Sequence, residues 1–274
     1  MIGVMQGRLL PPVDGKLQEF PFGRWADEFD IAKGLGLENI EWIYSARCPD
    51  DNPLSSRKGL GEIDTAQEGS PVVVRSLCAD YFVDYPILRR WGDILFDIRI
   101  RHFNWLLAQC EHIGINRVVL PYVDTSAIET DDDYYSAIEA CRRIGERADA
   151  LGVTVCLETN LSPANQEAMM REVDCLHVGL CFDSGNTANL GWSADEMFSL
   201  CGDYIRHVHV KDRKLVGKSV PLGQGNADFV ALSKFLKSKF GYPEDIVTLQ
   251  VARGESGKEA EWVRKQLDYV LALR

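Results

Sequence analysis

The sequence predicts a single α/β domain in which eight parallel strands close into a (β/α)8 barrel. Eight short apolar runs recur along the 274 residues, and helical patterns fill the intervals between them. The repeat averages about 34 residues, a spacing typical of a strand followed by a helix. The sequence has no Ser- or Pro-rich linker at which it would divide, so we predict one domain over residues 1–274.

The predicted strands are short runs rich in Val, Ile and Leu, as expected of strands that are buried on both faces. Each helical pattern gives way within a few residues to the next run, which favours parallel strands with right-handed crossovers. In chain order the predicted strands are 2–5, 39–44, 72–78, 117–123, 153–158, 178–183, 205–210 and 246–252.

The helical segments are identified by apolar spacing and by end signals. The longest pattern stops at Gly114, and its apolar residues recur every three or four positions, which predicts one buried stripe. The stripe consists of Ile87, Leu88, Trp91, Ile94, Leu95, Ile98, His102, Phe103, Leu106, Leu107 and Cys110. Further helices are predicted at 131–151, 163–173, 193–201, 228–240 and 258–273, with Ser193 and Asp228 as N-caps. Residues 45–71 are predicted to form a loop and a short helix.

An open, doubly wound sheet is the competing architecture for such a pattern. Eight consecutive strand and helix units favour closure instead. The sequence also lacks a G-x-G-x-x-G motif after any strand, the mark of a dinucleotide-binding sheet. We therefore predict the closed barrel.

Charge and cysteine content narrow the function classes. The net charge is −11, and an acidic chain is unsuited to nucleic acid or to an anionic membrane, although local Arg or Lys can still hold a small anion. The eight cysteines include no C-x-x-C pair, which predicts reduced and mostly buried thiols. The first residues show no secretory leader pattern, and no apolar run is long enough for a membrane helix. We expect a cytoplasmic protein.

Polar residues interrupt the apolar strands near one end. Glu158, Asp183, His209 and Gln250 lie at or near the carboxyl ends of strands five to eight, where barrel active sites are built. Two carboxylates and an imidazole that converge on a barrel axis need a compensating charge. One divalent ion provides it, and this oxygen and nitrogen donor set suits Mn, Mg, Co or Zn.

Each residue also has a purely structural interpretation. Asp183 stands where it could cap the next helix, and Gln250 could bind backbone inside the barrel. His207 lies one pleat deeper than His209, which favours a hydrogen-bonded core residue. The occurrence of polar residues at the ends of four consecutive strands nevertheless favours a functional site. These residues are Glu158, Asp183, His209 and Gln250.

Four fragments resemble the xylose isomerase-like TIM barrels, the superfamily of sugar isomerases, sugar-phosphate 3-epimerases and metal-dependent apurinic endonucleases. They are 157–160 (LETN), 182–186 (FDSGN), 207–212 (HVHVKD) and 221–229 (PLGQGNADF). Segments 5–9 and 40–42 are similar to the sugar phosphate isomerase/epimerase branch. The resemblance implies that Glu158, Asp183 and His209 bind metal and that Glu158 also transfers protons.

The chain departs from the family pattern at two positions. Gln250 stands where the epimerases carry a second Glu, and Asn186 stands where a His is frequent. A glutamine can offer an amide oxygen to a metal but cannot take a proton at neutral pH. Gln250 therefore favours an isomerase, which needs one base, over a two-base epimerase. Alternatively Glu255, Asp212 or Lys211 supplies the second base, or the metal is bound weakly.

The same strand ends offer substrate-binding residues. Arginines suit bidentate phosphate contacts, and Glu41 on the second strand could bind a sugar hydroxyl. The predicted substrate-binding residues are Arg8, Glu41, Asn186, His207, Lys211, Arg213 and Arg253.

The leading hypothesis is a metal-dependent sugar or sugar-phosphate isomerase or epimerase that forms an enediolate by proton transfer at Glu158, with Gln250 also at the catalytic centre. Its partner is a small-molecule sugar, with a homo-oligomer left open. The alternatives are a keto-polyol dehydratase and a non-catalytic sugar-binding barrel. Endonuclease chemistry ranks low because the chain has only five His and is acidic.

Overall fold

A computed structural model describes residues 1–239 and 246–273. Its eight main strands are all parallel and close into a barrel in the order β1-β10-β7-β6-β5-β4-β3-β2. The strands are β1 (Ile2–Met5), β2 (Asn39–Ile43), β3 (Val73–Cys78), β4 (Arg117–Tyr122), β5 (Thr154–Thr159), β6 (Val178–Asp183), β7 (Ile205–Val210) and β10 (Val247–Leu249). The predicted fold class, a (β/α)8 barrel, is confirmed.

A small hairpin, ten α-helices and five short 3-10 helices complete the part of the chain that is described. Strands β8 (Asp212–Arg213) and β9 (Ser219–Val220) pair antiparallel just after β7. The helices are α1 (Asp27–Leu35), α2 (Arg57–Gln67), α3 (Tyr81–Asp84), α4 (Asp93–His112), α5 (Asp131–Leu151), α6 (Pro163–Val173), α7 (Ser184–Leu190), α8 (Ala194–Cys201), α9 (Phe229–Lys239) and α10 (Glu259–Leu273).

Local sequence signals account for most helix ends. Thr130 and Asp133 form a reciprocal capping box at the start of α5, and Gly152 ends that helix with a left-handed conformation. Ser193 caps α8 as predicted. The sequence did not predict α1, α3, α7 or the β8–β9 hairpin. The predicted helix 228–240 corresponds to α9, and its last residue lies outside the described residues.

The predicted apolar stripe of α4 is wrong in its first turns. Trp91, Ile94, Leu95 and Ile98 are 40% or more exposed, whereas Phe96, Ile100, Phe103 and Leu107 are buried against the barrel. Ile98 is two residues from both Phe96 and Ile100, about 200° around the helix, so one set must face away. Spacing alone could not select between two apolar faces.

The predicted last strand, 246–252, is longer than the observed one. Pairing ends at Leu249, although the backbone N–H of Gln250 still donates to the carbonyl of Val210. Gln250 therefore lies directly beyond the carboxyl end of β10.

The eight cysteines are all free thiols, and six of them are buried, as predicted. Within residues 1–239 and 246–273, no helix is long and apolar enough to cross a membrane.

Candidate metal and substrate site

The strand register places the predicted site residues at one level of the barrel. Asp183 pairs with His209 across β6 and β7, and Thr248 pairs with His209 across β7 and β10. Glu158 lies one residue before the end of β5. Because all these strands are parallel, their carboxyl ends meet on the same side of the barrel.

Glu41 forms the floor of the site together with two histidines. Its two carboxylate oxygens lie 2.6 Å from Nε2 of His209 and 2.5 Å from Nε2 of His207, and all three residues have no exposed surface. The hydroxyls of Ser76 and Thr248 each donate to Glu41 Oε2 at 2.8 Å. Burial alone would raise the pKa of Glu41, but the two imidazoles hold it well below its usual value.

This network orients His209. Nε2 of the His209 ring faces Glu41 as a donor, so Nδ1 is the ring nitrogen that faces Glu158. The distance from His209 Nδ1 to Glu158 Oε2 is 3.6 Å. A carboxylate that holds the far nitrogen of a metal-binding histidine is a common arrangement around metal ions. Glu41 and His207, predicted as substrate-binding, thus lie beneath His209, and neither is among the residues that line the cavity described below.

Glu158 is held by the residue that replaces the frequent family histidine. The side-chain amide nitrogen of Asn186 donates to Oε1 of Glu158, and Arg213 donates to the side-chain oxygen Oδ1 of Asn186 at 2.8 Å. Burial would raise the pKa of Glu158, but His209, Lys211 and Asn186 together lower it below its ordinary value. Glu158 is therefore an ionised carboxylate at neutral pH.

Asp183 is an N-cap and also has a free oxygen. Its Oδ1 accepts from the backbone N–H of Asn186 at 2.7 Å, so the structural interpretation of this residue is met. Its Oδ2 has no hydrogen-bond partner among the described residues and lies 3.6 Å from the Lys211 ammonium. Burial raises the pKa of Asp183, an effect that Lys211 opposes.

Lys211 brings a positive charge into the predicted ligand set. Its stem packs over Gly185, where a Cβ atom would come within 2.7 Å of Cγ of the lysine. Its ammonium donates to Oε1 of Gln250 at 3.2 Å. The Gln250 amide nitrogen donates in turn to Gln18 Oε1 at 3.1 Å.

The donor set fits a divalent cation. Nδ1 of His209 and Oδ2 of Asp183 are buried without a hydrogen-bond partner in the described chain, and buried polar atoms are rarely left so. Oxygen, nitrogen and sulfur atoms of Glu158, His209 and Cys181 lie within 4.8 Å of one another. A cation bound there would satisfy the imidazole nitrogen and offset the carboxylate charge. The amide oxygen of Gln250, by contrast, is already engaged by Lys211.

The predicted phosphate-binding arginines have other partners. Arg8 donates to the carbonyls of Val251 and Leu17 and to Gln18, and burial lowers its pKa to about 9. Arg253 donates to three carbonyls, those of Leu17, Gly7 and Leu10. Arg213 donates twice to the carbonyl of Gly217. These guanidinium groups fasten loops at the barrel mouth.

The three alternative second bases are also engaged, and the contacts of Lys211 with Asp183 and Gln250 are given above. Asp212 is 1% exposed and accepts from the backbone N–H groups of Gly225 and Ala227, which fixes the loop before α9. Glu255 is exposed and pairs with Lys258 at 2.9 Å.

A cavity of about 260 Å³ opens over these residues. Six predicted site residues line it, namely Arg8, Glu158, Asn186, Lys211, Arg213 and Gln250. Gln18 and Asp80 also line it and were missed. Asp80 follows the third strand, so the strand-end rule that identified Glu158 could have found it. Gln18 comes from a loop and carries no such signal.

Comparison with known proteins agrees with this architecture. The family model described as xylose isomerase-like TIM barrel matches residues 24–273. No curated protein matches the chain in sequence.

Solved structures share the fold at low identity. The IOLI protein with a bound zinc atom is 17% identical, with a TM-score of 0.74 and coverage of 100% of this chain and 99% of the other. The D-psicose 3-epimerase from Clostridium cellulolyticum H10 with D-tagatose is 15% identical, with a TM-score of 0.74 and coverage of 99% and 98%. The 3-keto-D-glucoside 4-epimerase from E. coli is 17% identical, with a TM-score of 0.72 and coverage of 99% and 98%.

Proposed function

Because this chain belongs to the xylose isomerase-like TIM barrel family, we propose that it is a metal-dependent isomerase or epimerase of an unphosphorylated sugar. One observation carries the proposal. An ionised Glu158 lines a sugar-sized cavity beside two buried ligand atoms that have no hydrogen-bond partner among the described residues, His209 Nδ1 and Asp183 Oδ2. The sugar epimerases among the similar structures support the substrate class.

Glu158, Asp183 and His209 are the residues that would hold the metal, with Cys181 beside them. When bound, a divalent ion supplies Lewis-acid polarisation of a carbonyl and stabilises the negative charge of an enediolate. Glu41 keeps the His209 ring in the tautomer and orientation that present Nδ1. The identity of the metal is left to measurement among Mn, Mg, Co and Zn.

The proton chemistry belongs to Glu158. Its lowered pKa keeps the carboxylate ionised, so it can accept the proton from the carbon next to the substrate carbonyl. Asn186 fixes the orientation of this carboxylate through Oε1. A single base can return the proton to the neighbouring carbon on the same face, which is an aldose–ketose isomerisation. Gln250 cannot act as an opposed base, and this favours isomerisation over epimerisation.

The proposed substrate carries no phosphate. Arg8, Arg213 and Arg253 each donate to backbone carbonyls, and Arg8 and Arg213 also donate to the side chains of Gln18 and Asn186. Freeing these arginines would leave the carbonyls unpaired. We expect D-fructose to bind at least tenfold more tightly than D-fructose 6-phosphate in calorimetric titrations. Preference for the phosphate ester would contradict this part of the proposal.

Metal binding and proton exchange test the function. We expect the wild type to bind about one divalent ion per chain, and His209→Ala to weaken that binding at least tenfold. Glu158→Gln should slow deuterium exchange at a sugar carbon in D2O by about 10²- to 10⁴-fold, the usual contribution of a catalytic base.

Exposed residues supply matched controls. His112→Ala and Glu146→Gln change the same residue types on the surface and should leave metal affinity and exchange unchanged. The proposal fails if the wild type binds no divalent ion and Glu158→Gln alters exchange in no sugar tested.

One contact favours a second candidate, a sugar-binding barrel without metal. The Lys211 ammonium lies near both Asp183 Oδ2 and Gln250 Oε1, where it partly offsets the carboxylate charge. Sugar binding without metal, and without carbon exchange after Mn²⁺ or Co²⁺ is added, would favour this candidate over the enzyme.

A further inference from the structure

The cavity wall contains a carboxylate that the predicted ligand set does not include. Asp80 lies two residues beyond β3, immediately before α3. A carboxylate at this position commonly caps the helix, but the Asp80 side chain makes no capping hydrogen bond. Its side chain instead lines the same cavity as Glu158.

Two side chains hold the Asp80 carboxylate in place. The Gln18 amide donates to Oδ2 at 2.8 Å, and the Cys78 thiol donates to Oδ1 at 3.1 Å. Gln18 also accepts from Gln250 at 3.1 Å and from Arg8 at 3.0 Å. A continuous hydrogen-bonded chain therefore runs from the end of β10 to Asp80 across the cavity mouth.

We propose that Asp80 is a second catalytic residue, one that gives and takes the proton on a substrate oxygen while Glu158 moves the proton on carbon. This inference rests on the proposed function. Only β4 separates β3 from β5 in the barrel, so the two carboxylates approach a substrate from neighbouring sides and not from opposite faces. That arrangement suits one group at carbon and one at the adjacent oxygen, and it is unsuited to a pair of opposed carbon bases.

The surroundings of Asp80 favour its protonated form. Burial and the charge of Glu158 raise the pKa of Asp80 to about 6, while the bonds from Cys78 and Gln18 and the charge of Arg8 oppose the shift. A carboxyl group with a raised pKa is suited to donating a proton to a substrate oxygen.

The titratable groups around Asp80 come from several segments. Arg8 acts on it from the segment after β1, Glu158 from β5 and Cys78 from the last position of β3, while Asp84 lines the same cavity. Lys16 and Glu19 flank Gln18 and pair with each other at 2.8 Å.

The proposed steps balance in protons and electrons. Glu158 takes the C–H proton, the C–H electron pair forms the C=C bond, and the carbonyl π pair moves to oxygen, which receives the proton of Asp80. The neighbouring hydroxyl then returns a proton to Asp80, its oxygen becomes the new carbonyl, and Glu158 delivers its proton to the adjacent carbon. Both carboxyl groups end in their starting states.

The test is a pH profile of deuterium exchange in D2O with Mn²⁺ present, using D-fructose, D-tagatose and L-ribulose as probes. Because Asp80 acts in its protonated form, we expect kcat/KM in the wild type to fall as the pH rises through the pKa of Asp80. Asp80→Asn cannot transfer a proton and should reduce kcat/KM by about 10²- to 10⁴-fold and abolish the alkaline limb. Asp80→Glu should restore the limb and part of the rate.

Two further variants separate catalysis from structure. Gln18→Leu removes a donor to the carboxylate, so the alkaline limb should move to higher pH. It keeps the test decisive if Asp80→Asn does not fold. Asp64→Asn removes the same charge from an exposed position on α2, away from the cavity, and should match the wild type.

The outcomes of these experiments distinguish the role of Asp80 from the proposed function on which it rests. If the wild type exchanges no proton in any probe, the proposed function and the role of Asp80 fail together. If exchange occurs and depends on Glu158, but the limb stays in place in Asp80→Asn or in Gln18→Leu, only the role of Asp80 is overturned.

Discussion

The pKa of Asp80 predicts how the stability of the protein changes with pH. Burial raises this pKa from 3.8 to about 6, so the folded protein holds the proton more tightly than the unfolded chain does. The stability that this proton contributes is fully present when the pH is below the pKa of Asp80 in the unfolded chain. It is lost as the pH rises through the pKa of Asp80 in the folded protein. A shift of about two units corresponds to about 3 kcal/mol, of which about 2.5 kcal/mol falls between pH 4 and pH 7.

Asp80→Asn removes this dependence because the amide does not titrate. We expect the free energy of unfolding of the wild type, minus that of the variant, to fall by about 2 to 3 kcal/mol from pH 4 to pH 7 and to stay level above that. Urea unfolding of the metal-free proteins, followed by circular dichroism at each pH, measures the difference. Asp64→Asn, at an exposed position on α2, is the matched control and should track the wild type. A difference that varies by less than about 0.5 kcal/mol over this range would refute the raised pKa.

Three other substitutions follow from the site geometry. Lys211→Met removes an ammonium that competes with a metal ion for Asp183 and Gln250. Calorimetry should show Mn²⁺ binding about tenfold to a hundredfold more tightly, which corresponds to the loss of about 1.4 to 2.7 kcal/mol of competition. The exposed Lys214→Met is the control, and an unchanged or weaker Mn²⁺ affinity in Lys211→Met would argue against this competition. Glu41→Gln weakens the group that orients His209 and should lower Mn²⁺ affinity about tenfold to a hundredfold. An unaltered affinity would mean that metal binding by His209 does not depend on Glu41. Gly225→Ala places a methyl group against the Asp212 carboxylate and should cost about 1 to 3 kcal/mol in urea unfolding, and a neutral result would mean that the loop shifts freely.

The fold could be predicted because its signals are local. Val and Ile runs, capping residues such as Ser193 and Thr130, and terminal glycines such as Gly152 act within a few residues of their own position. Repeated eight times, they leave few topologies that satisfy right-handed crossovers. The first turns of α4 were wrong because two faces of that helix are apolar, and only packing against the barrel decides between them.

The candidate site was partly predictable for the same reason. Parallel strands carry their carboxyl ends to one side, so Glu158, Asp183 and His209 had to lie near one another once closure was inferred. The partners of these residues depend on other parts of the chain. Gln250 meets Lys211 from the preceding barrel strand, and this contact is invisible in the order of the residues.

The sequence by itself therefore determined the barrel, its acidic character and the strand ends at which polar groups collect, because periodicity and strand direction are properties of short segments. The tertiary structure alone decided that Arg8 and Arg253 fasten loops, that Glu41 supports His209, and that Gln18 crosses the mouth to reach Asp80. Each of these four contacts joins residues that are at least 62 positions apart. Hydrogen bonds of that kind are set by the closure of the barrel and by the need to satisfy every buried polar group within it.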